Sequence, residues 1–295
     1  MRISAETNFL SRRFGDEAAV RMIAEAGFDC VDYTMTLMCE EGHILNSDAA
    51  FEHLNHLKKL GQELGIVYGQ AHAPFRFDLS CVSSGLERAR QSVVRCFEYA
   101  AVLEIPIVVV HPLQHLPYRT NQQAVWDLNM AYYRDLIPYA RHFGIKIALE
   151  NLFDRDGRDI LVAGVCADPR RYVEAIDRLD SPQIVACVDI GHGVLIGEDP
   201  GELIRALGHD RLKALHVNDN NQISDEHTIP YLGKGDWEEA ARALADIRYD
   251  GDFTFEAFAF HNCFPDPMKQ AALRFTAELG RYLTGRIETY RKEAQ

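Results

Sequence analysis

Six short stretches of this 295-residue chain end in groups able to hold a cation or move a proton. His72 follows "IVYGQA", His111 follows "IPIVVV", and Glu150 follows "KIAL". Asp189 follows "IVACV" with His192 three residues on, His216 follows "LKAL", and Glu256 follows "DFTF". With 44 acidic residues and 12 histidines in 295, such a group stands at about one position in five, so a single ending of this kind carries little information. Six in succession, each interrupting an apolar run, form a pattern.

Glu150 lies between Leu149 and Asn151, and Glu256 between Phe255 and Ala257, with no Lys or Arg beside either. A carboxylate buried in such surroundings needs a cation or a dense set of hydrogen bonds. A distant arginine could serve one of them. Four consecutive endings, Glu150, Asp189, His216 and Glu256, offer three carboxylates and an imidazole. That set is hard and mostly oxygen, suited to Mn²⁺, Mg²⁺, Co²⁺ or Zn²⁺ rather than to a thiolate-seeking metal. Carboxylates brought close together repel unless a cation lies between them, so one divalent ion accounts for burial and convergence together.

The elements that must position these groups are legible as alternating strand and helix patterns. Strands are predicted at 2–6, 30–35, 66–73, 105–112, 146–151, 184–190, 212–219 and 252–258. Helical periodicity fills 16–26, 48–64, 84–103, 121–143, 168–179, 200–208, 236–247 and 267–292. Asp168-Pro169 opens one helix, and Gly27, Gly65 and Gly144 close others. Continuously apolar strands such as "IPIVVV" suit a sheet covered on both faces. Eight such units predict an α/β fold, a single (β/α)₈ TIM barrel spanning residues 1–295, whose chemistry collects at the C-terminal strand ends. Neighbouring strands about 5 Å apart would let four adjacent endings meet at one ion. A doubly wound open sheet is disfavoured because no GxGxxG follows the first strand.

The loop 219–237 after the seventh strand adds Asp225 and His227, followed by the turn Gly233-Lys234-Gly235. Gly191 and Gly193 are expected to let the backbone bend around His192. His53 and His56 fall on the polar side of a helix and are expected to be solvated. Neither a P-loop nor a GxSxG elbow is present.

A net charge of −13 argues against nucleic-acid and anionic-membrane binding, which need a basic face. Seven cysteines without a CxxC pair read as free thiols in a reducing compartment. No apolar leader and no run of 18 apolar residues is found, so a cytoplasmic protein is expected. The expected partner is a small molecule, and a homo-oligomer is compatible with the sequence.

The segments "HAPF", "VVVHP", "ALEN", "VDIGH", "LHVND", "DEHTIPYLGKGDW" and "FTFEAF", in this order, resemble the sugar phosphate isomerase/epimerase superfamily, the xylose isomerase-like barrels. The resemblance implies a metal-dependent sugar isomerase or epimerase, with one divalent ion (Mn, Mg, Co or Zn) on Glu150, Asp189, His216 and Glu256. In the branch similar to tagatose 3-epimerase, the glutamates corresponding to Glu150 and Glu256 are also the acid/base pair. They move a proton next to a carbonyl through an enediolate, on a sugar, sugar phosphate or keto-polyol. His192 matches a substrate-contacting histidine, and His72, His111, Asp156, Asp225 and His227 are the further substrate-binding candidates. Gln222 stands where that branch carries an arginine, which leaves the sugar open. The same superfamily holds three-zinc apurinic endonucleases similar to endonuclease IV. Their ligands would map onto His72, His111, Glu150, Asp189, His192, His216, Asp225, His227 and Glu256, so a DNA-repair hydrolase is the alternative reading. A barrel that binds sugar or metal without turnover is a third.

Overall fold

The computed structural model describes residues 1–293. Eight parallel strands form one sheet: β1 (Ile3–Glu6), β2 (Cys30–Thr34), β3 (Val67–His72), β4 (Ile107–Val110), β5 (Lys146–Glu150), β6 (Ile184–Asp189), β7 (Leu212–His216) and β8 (Phe253–Phe255). The order is β8-β1-β2-β3-β4-β5-β6-β7, so each strand lies beside its sequence neighbour. Closure comes from a parallel bridge between Val217 and Phe255, where Val217 N–H donates to the Thr254 carbonyl at 2.7 Å. The fold is the (β/α)₈ barrel.

The strands are followed in turn by helices α1 (Asp16–Ala26), α2 (Ala50–Leu64), α3 (Val82–Val102), α4 (Tyr118–Phe143), α5 (Pro169–Leu179), α6 (Pro200–Arg211), α7 (Trp237–Asp246) and α8 (Asp266–Glu293). The caps act where the residue types require. Asp168 accepts from Arg171 N–H at the start of α5, and Asp236 from Glu239 N–H at the start of α7. Gly27, Gly65 and Gly144 end α1, α2 and α4 with left-handed backbone, which costs a residue without a Cβ least.

Strand alternation sets the site. Val109, Ala148, Val185, Cys187 and Ala214 form an apolar cluster of their own, separate from the layer between strands and helices. Two residues on from Ala148, Cys187 and Ala214, on the same face of each strand, come Glu150, Asp189 and His216. The polar groups are thus the last inward-facing residues of strands whose earlier inward residues are small and apolar.

Four expectations change. An antiparallel hairpin, Phe153–Arg155 with Leu161–Ala163, rises after β5 where a plain loop is expected. The eighth strand stops at Phe255, and the short helix Phe258–Asn262 replaces its predicted end. Ile190 starts another short helix, Ile190–Leu195, in which Gly191 and Gly193 have ordinary backbone rather than a special bend. Gly191 is required for space instead, since a Cβ there would lie 1.7 Å from Asn218 Oδ1. Finally, His53 is not solvated; its Nε2 lies 2.8 Å from buried Asp16, while the exposed His56 faces Glu17 at 3.0 Å.

Candidate active site

At the C-terminal mouth of the barrel, Glu150, Asp189, His216 and Glu256 converge. All four are buried, and each offers one ligand atom within 4.8 Å of the others. His216 Nδ1 is 3.0 Å from Glu150 Oε1, 3.4 Å from Glu256 Oε2 and 4.0 Å from Asp189 Oδ2. No Lys or Arg pairs with these three carboxylates among the described residues; every ionic neighbour is an imidazole. Glu150 Oε2 is buried and finds no well-aligned hydrogen bond, although His111 Nε2 approaches to 2.8 Å. Three carboxylates, an imidazole and an unsatisfied buried carboxylate oxygen are a donor set that fits a divalent cation.

Neighbouring side chains aim these donors. Asp32 Oδ2 lies 3.5 Å from His216 Nε2 and accepts from Gln70 Nε2 at 2.8 Å, leaving Nδ1 toward the carboxylates. Asn218 Nδ2 donates to both oxygens of Asp189, at 3.1 and 3.0 Å. Asn151 clasps the Asp189 backbone, accepting from its N–H and donating to its carbonyl. Asp189 in turn accepts from His192 N–H at 2.7 Å, capping the short helix that carries His192.

The electrostatics separate the two glutamates. Burial raises the pKa of both; at Glu150, His111 and His216 outweigh it and hold the carboxyl well below the usual range. At Glu256 burial prevails over the same kind of neighbours, and its pKa is raised. Burial also lifts Glu6 far above its ordinary value, reinforced by Glu256 and Asp32. At His227 burial opposes the charge, but Glu256 and Asp225 carry the pKa up to about 9.

Glu150 and Glu256, of the four donors, open onto a cavity of about 540 Å³. His72, His111, His192, Asp225 and His227, the expected substrate-binding residues, line it. They take part in three further clusters able to hold a metal: His72 with His111 and Glu150, His192 with Asp225 and His227, and His72 with His216 and Glu256. In the first, the two Nε2 atoms are 3.1 Å apart; in the second, Asp225 Oδ2 lies 3.1 Å from His227 Nε2 and 3.8 Å from His192 Nε2. The walls are aromatic: Phe75 stacks on His111, Phe258 on His227, and Phe153 meets His192 edge-on.

Asp156 is the exception. It does not line the cavity; its Oδ1 accepts from Arg158 and Ile160 N–H in the hairpin turn, and its Oδ2 meets Arg119 and Arg158. Asp154 and Arg155 line the wall instead, as does Arg76. Gln222 lines a separate surface cleft with Lys234 and Asp199. The turn Gly233–Gly235 folds around Asp219, whose carboxylate accepts from Gly233 N–H, Gly235 N–H and Trp237 Nε1. Sequence reasoning missed Glu6, Asp32, Asn151 and Asn218. Glu6, which ends β1, obeys the same strand-end rule as the others.

This fold and site define a class. Residues 20–279 match the family of xylose isomerase-like TIM barrels, and the chain belongs to it. Within it, the chain is 30% identical to an uncharacterized protein of Methanocaldococcus jannaschii over 249 residues, 81% of this chain and 78% of that one. It is 28% identical to fructoselysine 3-epimerase of Escherichia coli O157:H7 over 166 residues, 56% of this chain and 58% of that enzyme. The crystal structure of a D-tagatose 3-epimerase-like protein superimposes with a TM-score of 0.76 at 22% identity, covering 100% of both chains. No helix among the described residues is long and apolar enough to cross a membrane.

Proposed function

We propose that this chain is a divalent-metal-dependent ketose epimerase or isomerase that moves a proton at a carbon next to a carbonyl. The observation that carries this reading is the convergence of Glu150, Asp189, His216 and Glu256 at the barrel mouth, where Glu150 and Glu256 line a cavity. An ion held by these four would supply a Lewis acid for two adjacent oxygens of the substrate, lowering the pKa of the intervening C–H. Glu150, which lines the cavity, is suited to take that proton. Glu256, which lines the same cavity, is suited to carry one back, so that the enediolate is reprotonated by a second group. His72, His111, His192, Asp225 and His227 are assigned to the substrate hydroxyls, and the phenyl walls to the C–H faces of the sugar and to keeping water out. The sugar epimerase among the relatives supports the reaction class.

The test is solvent exchange. Protein reconstituted with one Mn²⁺ or Mg²⁺ and offered a panel of ketoses in deuterated water is expected to place deuterium at one carbon of a favoured sugar, and chelation to stop it. No exchange on any ketose, with intact metal loading, would sink the proposal. The additional metal-capable clusters give the DNA-hydrolase reading its own observation. Metal content decides between them: one ion per chain supports the isomerase, and three zinc ions with cleavage of abasic DNA would replace it. The net charge of −13 favours the small substrate.

A further inference from the structure

Among the described residues, four buried side-chain atoms without a hydrogen-bond partner belong to residues that line the cavity: Glu6 Oε2, Gln114 Nε2, Glu150 Oε2 and Asp225 Oδ1. Such orphans are uncommon in a folded chain, and each needs a cause. Glu150 and Asp225 have one, because each belongs to a group of donors able to hold a cation. Glu6 belongs to none of those groups, and Gln114 Nε2 is an amide donor that a cation does not satisfy. Neither residue has a part in the proton transfer proposed above.

Strand register places Glu6. It pairs with Asp32 across β1 and β2, and it follows Ala5, which pairs with Phe255, so it stands level with Glu256 on its other side. Only 4% of its surface is exposed. The imidazoles at this level serve its neighbours: His216 Nε2 lies 3.5 Å from Asp32, and His216 Nδ1 and His227 Nδ1 lie 3.4 and 3.5 Å from Glu256. Gln114 reaches the cavity from the loop after β4, three strands away in the sheet. The last torsion of either side chain is soft, so a small turn presents either of its end atoms to a ligand. An ammonium would satisfy Glu6 but not Gln114 Nε2, and a phosphate or carboxylate the reverse. A hydroxyl both donates and accepts, so two hydroxyls on one ligand satisfy both residues, whether or not Glu6 carries a proton.

We propose that Glu6 and Gln114 are specificity-determining residues that bind two substrate hydroxyls on carbons beyond the reacting pair. The inference rests on the ketose reading and narrows it: the favoured substrate is a ketose hydroxylated along its chain, and deoxy-ketoses are rejected. A site built to hydrogen-bond a hydroxyl discriminates strongly against the analogue lacking it, because a buried polar group is then left unpaired.

Calorimetric titration of the Mn²⁺-loaded chain with the D- and L-ketohexoses selects the tightest binder, whose singly deoxygenated analogues are then compared with it. In the wild type, loss of a recognised hydroxyl is expected to weaken binding by about tenfold or more. In Glu6→Leu the parent sugar is expected to lose about as much, while one deoxy analogue binds as it does to the wild type, so that the gap closes. Gln114→Leu is expected to close the gap for a different analogue, and Glu6→Gln, which keeps a hydrogen-bonding end, to retain part of it. Without ligand, Glu6→Leu is expected to melt no lower than the wild type, since it removes a buried carboxyl that lacks a partner. Deoxy analogues that bind the wild type as tightly as the parent, a Glu6→Leu chain that loses parent and analogues alike, or lowered melting in both Glu6 variants would each overturn the proposal. Binding is read apart from turnover. Failed deuterium exchange with this discrimination intact would sink the epimerase reading and leave the hydroxyl contacts, and exchange on a sugar whose deoxy analogues bind equally well would do the reverse. No binding of any ketohexose would overturn both.

Discussion

The two ends of the barrel treat their carboxylates in opposite ways. At the N-terminal end Asp252, Asp29 and Asp250 each have a cation from the chain: Arg2 with Asp252 at 2.8 Å, Arg281 with Asp29 at 2.6 Å, and Lys213 with Asp250 at 2.9 Å. At the C-terminal end Glu150 and Asp189 are more deeply buried and Glu256 about as buried as Asp252, yet among the described residues their only ionic partners are imidazoles. Burial makes charge more costly, so the end with the greater need has the weaker internal compensation. The difference separates a stabilising end, complete in itself, from an end whose charge is balanced by a ligand.

The largest expected effect breaks this contrast at the reacting groups. Glu150→Gln and Glu256→Gln are each expected to lower solvent-deuterium exchange by about 10²–10⁴-fold, the usual worth of a positioned acid or base. Asp252→Asn at the other end is expected to leave exchange within about twofold, its cost confined to stability. Because Arg2 is 54% exposed, that cost is about 0.2–1 kcal/mol, readable in a denaturant melt. Equal losses of exchange in all three variants would erase the distinction between the ends.

Metal addition gives the next effect. At 100 times its dissociation constant an ion bound only to the native state adds roughly 2.7 kcal/mol. Thermal melts with and without Mn²⁺ are expected to show this gain in the wild type and in Asp252→Asn, and a much smaller one in Asp189→Asn. An equal gain in Asp189→Asn would place the ion elsewhere.

Much of the strand end was legible because its cause is local. Ala148 and Glu150, Cys187 and Asp189, and Ala214 and His216 show the two-residue period of a strand whose inward row turns from small to charged. The barrel itself followed from alternation of strand and helix patterns. What escaped depends on long-range packing. Asn218 and Asn151 hold Asp189 across strand boundaries, and nothing in "LHVND" or "ALEN" marks their partner. Gly191 looked like a hinge but makes room for Asn218, a fact written 27 residues away in the chain. Asp156 was expected among the substrate-binding residues, yet the hairpin, three residues a side and without a clear alternation, makes it a turn-former.

The smallest effect concerns pH at the self-sufficient end. Burial pushes the Asp29 carboxyl up, but Arg281 and the N–H of Ile3 outweigh it, so its folded pKa lies below the ordinary value. A depressed pKa means that the unfolded chain binds the proton first as acid is added. The contribution of this carboxylate is therefore fully present above about pH 4 and disappears as pH falls through the lower folded value. Asp29→Asn keeps an oxygen for Ile3 N–H and removes only the charge. Arg281 is 48% exposed and Asp29 33%, so solvent screening limits the gap between variant and wild type to about 0.2–1 kcal/mol at neutral pH. Chemical denaturation at pH 7 and at pH 3 is expected to show that gap closing in acid. A gap that stays constant or widens at pH 3 would mean that Asp29 is held by its hydrogen bond alone, and that this end does not rest on charge pairing there.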